Sequence, residues 1–110
     1  MTASLCFNGS FEGALTVDCT LELAGQIAAA MFLMEPADLT DAEIADAMGE
    51  IANIIGGRLK EEMPDKVGMS TPSVSEGVDY TVIFPACSPV SVVTFIHDND
   101  PLQVTLLKHD

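Results

Sequence analysis

The segment from Thr40 to Glu62 constrains the fold more than any other, because its apolar residues recur at the spacing of an α-helix. At about 100° per residue they fall on one side of the predicted helix. They are Ile44, Met48, Ile51, Ile55 and Leu59. Thr40 and Glu43 form a capping box at the start, and Pro64 predicts an end near Glu62.

The opposite side of this predicted helix carries polar and small residues. Asp46, Glu50, Asn53 and Gly57 fall within an arc of roughly 60°. A carboxylate and an amide three residues apart are neighbours that can contact one small target together. The glycine pair at Gly56 and Gly57 costs about 1 kcal/mol per residue relative to alanine. We therefore expect Gly56 to pack against a sheet and Gly57 to leave room for another molecule, whereas an ordinary solvated face remains the alternative.

A hairpin and a shorter helix are predicted before this segment. Alternating residues in Ser4–Phe7 and Ser10–Val17 predict two half-buried strands, joined by a turn at Asn8 and Gly9. Thr20 is a plausible N-cap for a helix that reaches about Leu33. The predicted buried stripe of this helix is Leu23, Ala24, Ile27, Ala28 and Met31.

After the long helix the pattern changes to that of strands. The predicted strands are Val67–Thr71, Val78–Phe84, Pro89–His97 and Leu102–Lys108. Two strands, two helices and then about four strands predict an α+β domain. In it, the two helices pack on one face of a mostly antiparallel sheet of about six strands.

Charge and composition exclude several classes of partner. The 110 residues include 17 acids and 4 bases, for a net charge of −13. This composition disfavours nucleic acid and anionic membrane surfaces, because contact with phosphates needs cations. The acid excess is explained either by a solvated surface or by attraction of a partner with a basic rim. The most apolar segment, Leu21 to Met34, is shorter than the roughly 20 residues that span a bilayer, so we expect a cytoplasmic protein.

The cysteines and the histidine-aspartate cluster give weaker signals. Cys6, Cys19 and Cys87 are odd in number and lack metal-site spacing, which predicts reduced and mostly buried thiols. The run from His97 to Asp100 has the residue types of a metal site. Its composition is more typical of a turn between the last two strands.

The motif residues resemble the signature of the CheC/CheX/FliY chemotaxis phosphatases, most closely the CheX branch. Residues 50–57 read Glu-Ile-Ala-Asn-Ile-Ile-Gly-Gly. The family pattern is Asp or Ser, three residues, Glu, two residues, Asn, and a proline further on. Asp46, Glu50, Asn53 and Pro72 match it, and the resemblance extends from about Leu5 to Lys108. We expect Thr71-Pro72 to shape the loop beside the helix.

The resemblance implies hydrolysis of the aspartyl phosphate on a CheY-type response regulator. It assigns Glu50 to a salt bridge with the regulator's active-site lysine and Asn53 to orienting the attacking water. Asp46 and Gly57 are the implied partner-binding residues. The regulator supplies Mg²⁺, so no cofactor or metal of the chain's own is expected.

Two departures from the family keep alternatives open: the usual first helix is missing, and the sequence has one Glu-x-x-Asn site where CheC-type proteins commonly carry two. Family members usually begin with a long helix, so residues 1–110 are expected to form a single CheX-like domain without it. Either the domain is a natural short form, or a second copy completes its sheet, as strand exchange does in CheX dimers. The alternatives to a phosphatase are a module that binds a receiver or flagellar switch component without hydrolysis, and a scaffold whose helix face packs on its own copy.

Overall fold

The computed structural model describes residues 1–63, 66–77 and 84–110, which contain two α-helices and six strands. In chain order these are β1 Thr2–Gly9, β2 Gly13–Cys19, α1 Leu21–Phe32, α2 Asp41–Glu62, β3 Val67–Met69, β4 Ser73–Ser75, β5 Cys87–His97 and β6 Asp100–His109. A short 3-10 turn, Pro36–Asp38, connects the helices. Pro64 and the predicted strand Val78–Phe84, apart from Phe84 itself, lie outside the described residues.

The six described strands form one antiparallel sheet in the order β3, β1, β2, β6, β5. The short strand β4 pairs with β1 on the same edge as β3. The helices pack together, and α2 also packs on β1 and β2. The predicted α+β fold, with two helices on one face of an antiparallel sheet, is therefore confirmed.

Local signals in the sequence predicted both helices well. The Thr20 hydroxyl accepts a hydrogen bond from the Leu23 backbone N–H at 3.1 Å, which caps α1. In α2, Thr40 Oγ1 accepts from the Glu43 N–H at 3.1 Å, and the Glu43 carboxylate accepts from the Thr40 N–H at 3.0 Å. This is the predicted capping box, and α2 ends at Glu62 as expected.

The first hairpin forms, but the predicted two-residue turn at Asn8-Gly9 is wrong. Phe7 is opposite Gly13, so the connection is longer than two residues. Asn8 and Gly9 instead continue β1 and pair with Gly68 and Val67 of β3. Gly9 has φ +100°, and an added Cβ would lie 2.7 Å from the Lys66 carbonyl oxygen. Pairing with β3 therefore extends β1 over two residues that would otherwise form a tight turn.

The core lies between α2 and the strands β1 and β2. Its largest fully buried side chains are Leu5, Leu15, Val17 and Met48. The expectation that β2 is only half-buried is wrong, because Ala14 and Thr16 on its other face are also buried. β2 is a central strand between β1 and β6, so both of its sides are flanked by other strands of the sheet.

Three further predictions need correction. Residues 73–75 form β4, which was not predicted because three residues carry too little periodicity. The last turn contains only Asp98 and Asn99, both with positive φ, and β6 already begins at Asp100. Met31 is 37% exposed rather than buried, since only the exposed 3-10 turn follows this end of α1.

The cysteines are less buried than predicted. All three are free thiols; Cys6 is exposed, and Cys19 and Cys87 are half-buried. Burial raises the pKa of the Cys19 thiol, against a smaller opposing effect of the N-terminal ammonium. The Cys19 Sγ lies 3.8 Å from the Sδ of Met48, on the packed side of α2.

Candidate active site

The packed side of α2 determines which of its residues face solvent. Met48, Ala52 and Gly56 are buried. An added Cβ at Gly56 would lie 2.8 Å from Met69 Sδ and 3.0 Å from Leu5 Cδ2, so only glycine allows this close approach to β1 and β3. With that side held against the sheet, the opposite side of a rigid helix is presented outward.

All four predicted site residues lie on this outward side. Asp46 and Glu50 are exposed, and Asn53 and Gly57 are half-buried. An added Cβ at Gly57 would meet no atom within 4 Å, in contrast to Gly56. The two glycines therefore have the different environments that the sequence predicted, and the open space at Gly57 lies one helical turn after Asn53.

The loop between β3 and β4 borders one flank of this surface. An added Cβ at Gly49 would lie 3.4 Å from Pro72 Cγ, so Pro72 packs directly on α2. Gly49 precedes Asn53 by four residues, which places Pro72 on the Asn53 side of the helix. The loop thus lies beside the helix, as the sequence predicted.

Hydrogen bonds to β1 hold the same loop in place. The Ser70 N–H donates to the Cys6 carbonyl at 2.9 Å. The Cys6 N–H in turn donates to the Ser70 hydroxyl oxygen at 2.9 Å. The Ser70 hydroxyl also donates to the Thr71 carbonyl at 3.1 Å. Pro72 is thus a fixed boundary of the surface rather than a loose loop tip.

The charges on this surface are mostly negative. Asp46 and Glu50 lie on the exposed side of α2. The cation that follows, Arg58, lies 3.8 Å from the Glu61 carboxylate, and both side chains are largely exposed. An exposed pair of this kind contributes little to stability. The surface therefore presents carboxylates and one carboxamide to an approaching molecule.

This arrangement can hold and orient, but it has no strong nucleophile of its own. A carboxylate accepts hydrogen bonds or pairs with a cation, and a carboxamide both donates and accepts. Within the described ranges, no cluster of His, Cys, Asp and Glu side chains could hold a metal ion. At the cluster noted in the sequence, His97 Nε2 lies 3.4 Å from the carboxylate of its neighbour Asp98. Chemistry at the α2 surface would need a reactive group from a second molecule.

The prediction missed one residue of this surface, Ile54. Its side chain is 51% exposed, next to Asn53 and one helical turn after Glu50. At about 100° per residue, the Ile54 side chain points roughly 40° from Glu50 around the helix axis. Helical phase could therefore have placed Ile54 on this surface.

Comparison with known proteins identifies the family. The family model described as chemotaxis phosphatase CheX matches residues 1–96. The chain belongs to the CheX family. A search of curated protein sequences finds no match. Among the described residues, neither helix is long and apolar enough to cross a membrane.

Solved CheX structures share the fold. A chemotaxis protein CheX from Vibrio vulnificus is 22% identical with a TM-score of 0.79, covering 96% of this chain and 72% of that one. CheX from Desulfovibrio desulfuricans is 24% identical with a TM-score of 0.73, covering 97% and 73%. The CheX–CheY–BeF3–Mg²⁺ complex from Borrelia burgdorferi matches at 19% identity and a TM-score of 0.73, covering 99% and 75%. At these identities the likeness shows the fold.

Proposed function

We propose that this chain hydrolyses the aspartyl phosphate of a CheY-type receiver domain, with Glu50 and Asn53 as the working pair. The observation that carries the proposal is that both side chains share one outward face of α2, beside open space at Gly57. Membership of the CheX family and the fold shared with the CheX chain of a CheX–CheY complex support it.

In the proposed reaction the receiver provides the reactive group and its own Mg²⁺, and this chain needs no cofactor. The Asn53 carboxamide accepts a hydrogen bond from a water molecule and holds it in line with the phosphorus. Water attacks, the bond between phosphorus and the aspartyl oxygen breaks, and inorganic phosphate leaves a free carboxylate. An acyl phosphate is already activated, so positioning and charge stabilisation suffice.

The remaining site residues have docking roles in this proposal. The Glu50 carboxylate pairs with the ammonium of the receiver's active-site lysine. Gly57 lets the receiver backbone or side chains come close to α2, because nothing lies within 4 Å of where a Cβ would stand. Asp46 adds a second negative charge one turn before Glu50. The reaction is proposed to take place in the cytoplasm.

The test times phosphate loss from a phosphorylated receiver with wild-type and variant protein. Asn53→Ala is expected to lower kcat about 100-fold while leaving binding intact, since one oriented group is lost. Glu50→Gln is expected to weaken binding about tenfold by removing the ion pair. Asn8→Ala and Glu22→Gln are matched controls, because both residues are exposed but lie outside α2. Full activity of Asn53→Ala would remove the proposed mechanism.

The same experiment separates the phosphatase from the two alternatives. A binding module would form a complex with the receiver on a sizing column without faster phosphate loss. A scaffold that packs α2 on its own copy would protect Glu50 and Asn53 within an oligomer and bind no receiver. The phosphatase is preferred because the family model that matches residues 1–96 is described as a chemotaxis phosphatase.

We further propose a homodimer that uses β5, which lies at one edge of the sheet formed by the described strands. Among the described strands, β5 pairs only with β6. Phe95 is 58% exposed and Ile96 is 72% exposed on its two faces. A long apolar edge strand is an association surface unless something covers it. A second copy of the chain would cover it and enlarge the sheet.

A further inference from the structure

Ile54 is the apolar residue that the site description leaves without a role. Within α2, all of whose residues the structure describes, it is the only large apolar side chain in the exposed class. The other large apolar residues of the helix pack on the core. They are Ile44, Met48, Ile51, Ile55 and Leu59.

The position of Ile54, rather than its exposure alone, makes it informative, since isolated exposed apolar residues are common. Helical spacing puts it next to Glu50 on one side and next to Gly57 and Arg58 on the other. Asn53 is its direct neighbour in the chain. Ile54 therefore lies inside the proposed docking surface, with the carboxylate, the amide and the open glycine around it.

We propose that Ile54 is the apolar anchor of receiver docking, an inference that rests on the proposed function. Interfaces commonly have an apolar centre surrounded by a polar rim. Here Ile54 would be the centre, and Asp46 and Glu50 would belong to the rim. The receiver would then present an apolar patch beside the lysine ammonium that pairs with Glu50, so charge complementarity and apolar contact would select the same partner.

Burial of Ile54 would also assist the two polar side chains beside it. Excluding water from the contact strengthens the ion pair between Glu50 and the lysine, because the local dielectric constant falls. An anchor next to Asn53 limits how far the receiver can shift along the helix. Ile54 is thus a positioning residue that acts through docking and does not touch the reacting atoms.

The test compares Ile54→Ser, Ile54→Val and Leu21→Ser. Leu21 is the matched control, since it is also 51% exposed but lies at the start of α1, near Asp41 at the start of α2. That end of α2 is roughly 20 Å along the helix from Ile54. Ile54→Ser is expected to raise KM for the phosphorylated receiver about tenfold, from the lost apolar burial. Its kcat and thermal midpoint should stay close to wild type.

The two other variants make the result specific. Ile54→Val keeps most of the apolar area, and its KM should stay within about threefold of wild type. Leu21→Ser should leave KM unchanged. An Ile54→Ser protein with wild-type KM, or one whose kcat falls as much as its KM rises, would overturn the proposal.

Binding of the beryllofluoride-activated receiver distinguishes failure of this inference from failure of the proposed function. If the wild-type protein binds the receiver without hydrolysing its phosphate, and Ile54→Ser abolishes that binding, the anchor is supported and the phosphatase is rejected. Hydrolysis and binding that are unaffected by Ile54→Ser would retain the phosphatase and reject the anchor. Absence of binding by wild type would reject both.

Discussion

Two adjacent glycines of α2 show how one added methyl group has opposite consequences on the two sides of a helix. Gly56 faces Leu5 and Met69 at distances that leave no room for a Cβ, whereas Gly57 faces open space. Both residues weaken the helix relative to alanine. Only Gly56 recovers that loss through close packing, so Gly57 remains a cost to stability that the proposed docking role explains.

Gly57→Ala and Gly56→Ala are expected to change stability in opposite directions. Gly57→Ala should raise the free energy of unfolding by about 0.5–1 kcal/mol through helix propensity. Gly56→Ala should lower it by about 1 kcal/mol, because overpacking against the buried Leu5 exceeds the same gain. Urea denaturation of both variants measures this difference.

Each variant is the control for the other, since the chemical change is identical. Equal shifts at the two positions would contradict the packing argument. The more stable Gly57→Ala protein should also show a higher KM for the phosphorylated receiver, if the open space at this position admits the partner.

The helix α2 is the element that unites the site, and its start depends on a local network. Thr40 and Glu43 satisfy each other's backbone N–H groups and also share a hydrogen bond between the Thr40 hydroxyl and the Glu43 carboxylate at 3.0 Å. The fixed β3–β4 loop supports the same helix at Gly49 through Pro72. These supports keep Glu50 and Asn53 on a rigid framework, which an oriented water molecule requires.

Loss of the cap is expected to destabilise the fold without changing the site chemistry. Thr40→Ala should lower the free energy of unfolding by about 1 kcal/mol, because an orphan N–H of the first turn loses its acceptor. Thr71→Ala, in the exposed loop, is the control and should change stability by less than about 0.5 kcal/mol. Thermal denaturation monitored by circular dichroism checks both, and equal effects would argue against the cap.

In the whole molecule, apolar surface is distributed unevenly. Helix α2 covers β1 and β2, whereas β5, at one edge of the described sheet, has exposed residues along almost its entire length. Its large apolar side chains are Val90, Val92, Val93, Phe95 and Ile96. Covering this area would bury far more apolar surface than any single residue of the proposed docking face, so the proposed dimer and the proposed receiver docking would use separate parts of the chain.

Sedimentation should therefore give an apparent mass of twice 11.6 kDa for the wild-type chain. Ile96→Lys is expected to shift the protein toward the monomer, since a charge in a buried apolar contact is costly. Leu33→Lys is the control, because Leu33 is 92% exposed at the end of α1 and lies outside β5. A wild-type monomer at all accessible concentrations, or equal effects of both variants, would contradict the proposed dimer.

The sequence predicted the helices and the site face because these depend on residues close together in the chain. Caps act within three residues, and an apolar stripe sets both the period of a helix and its rotation. Once α2 packs through Met48 and Ala52, the outward direction of Glu50 and Asn53 follows. Helical phase also places Gly56 and Gly57 on different sides of the helix.

Only the tertiary structure decided the features that depend on distant partners. Asn8 and Gly9 belong to β1 because they pair with β3, a strand about 60 residues away in sequence. Pro72 lies on the Asn53 side of α2 because a loop hydrogen-bonded to β1 packs on Gly49. Strand pairing and packing between remote segments create such contacts. The hydrophobic period of a single segment does not predict them. Local chemistry thus determined the helix face of the proposed site, and long-range pairing determined its surroundings.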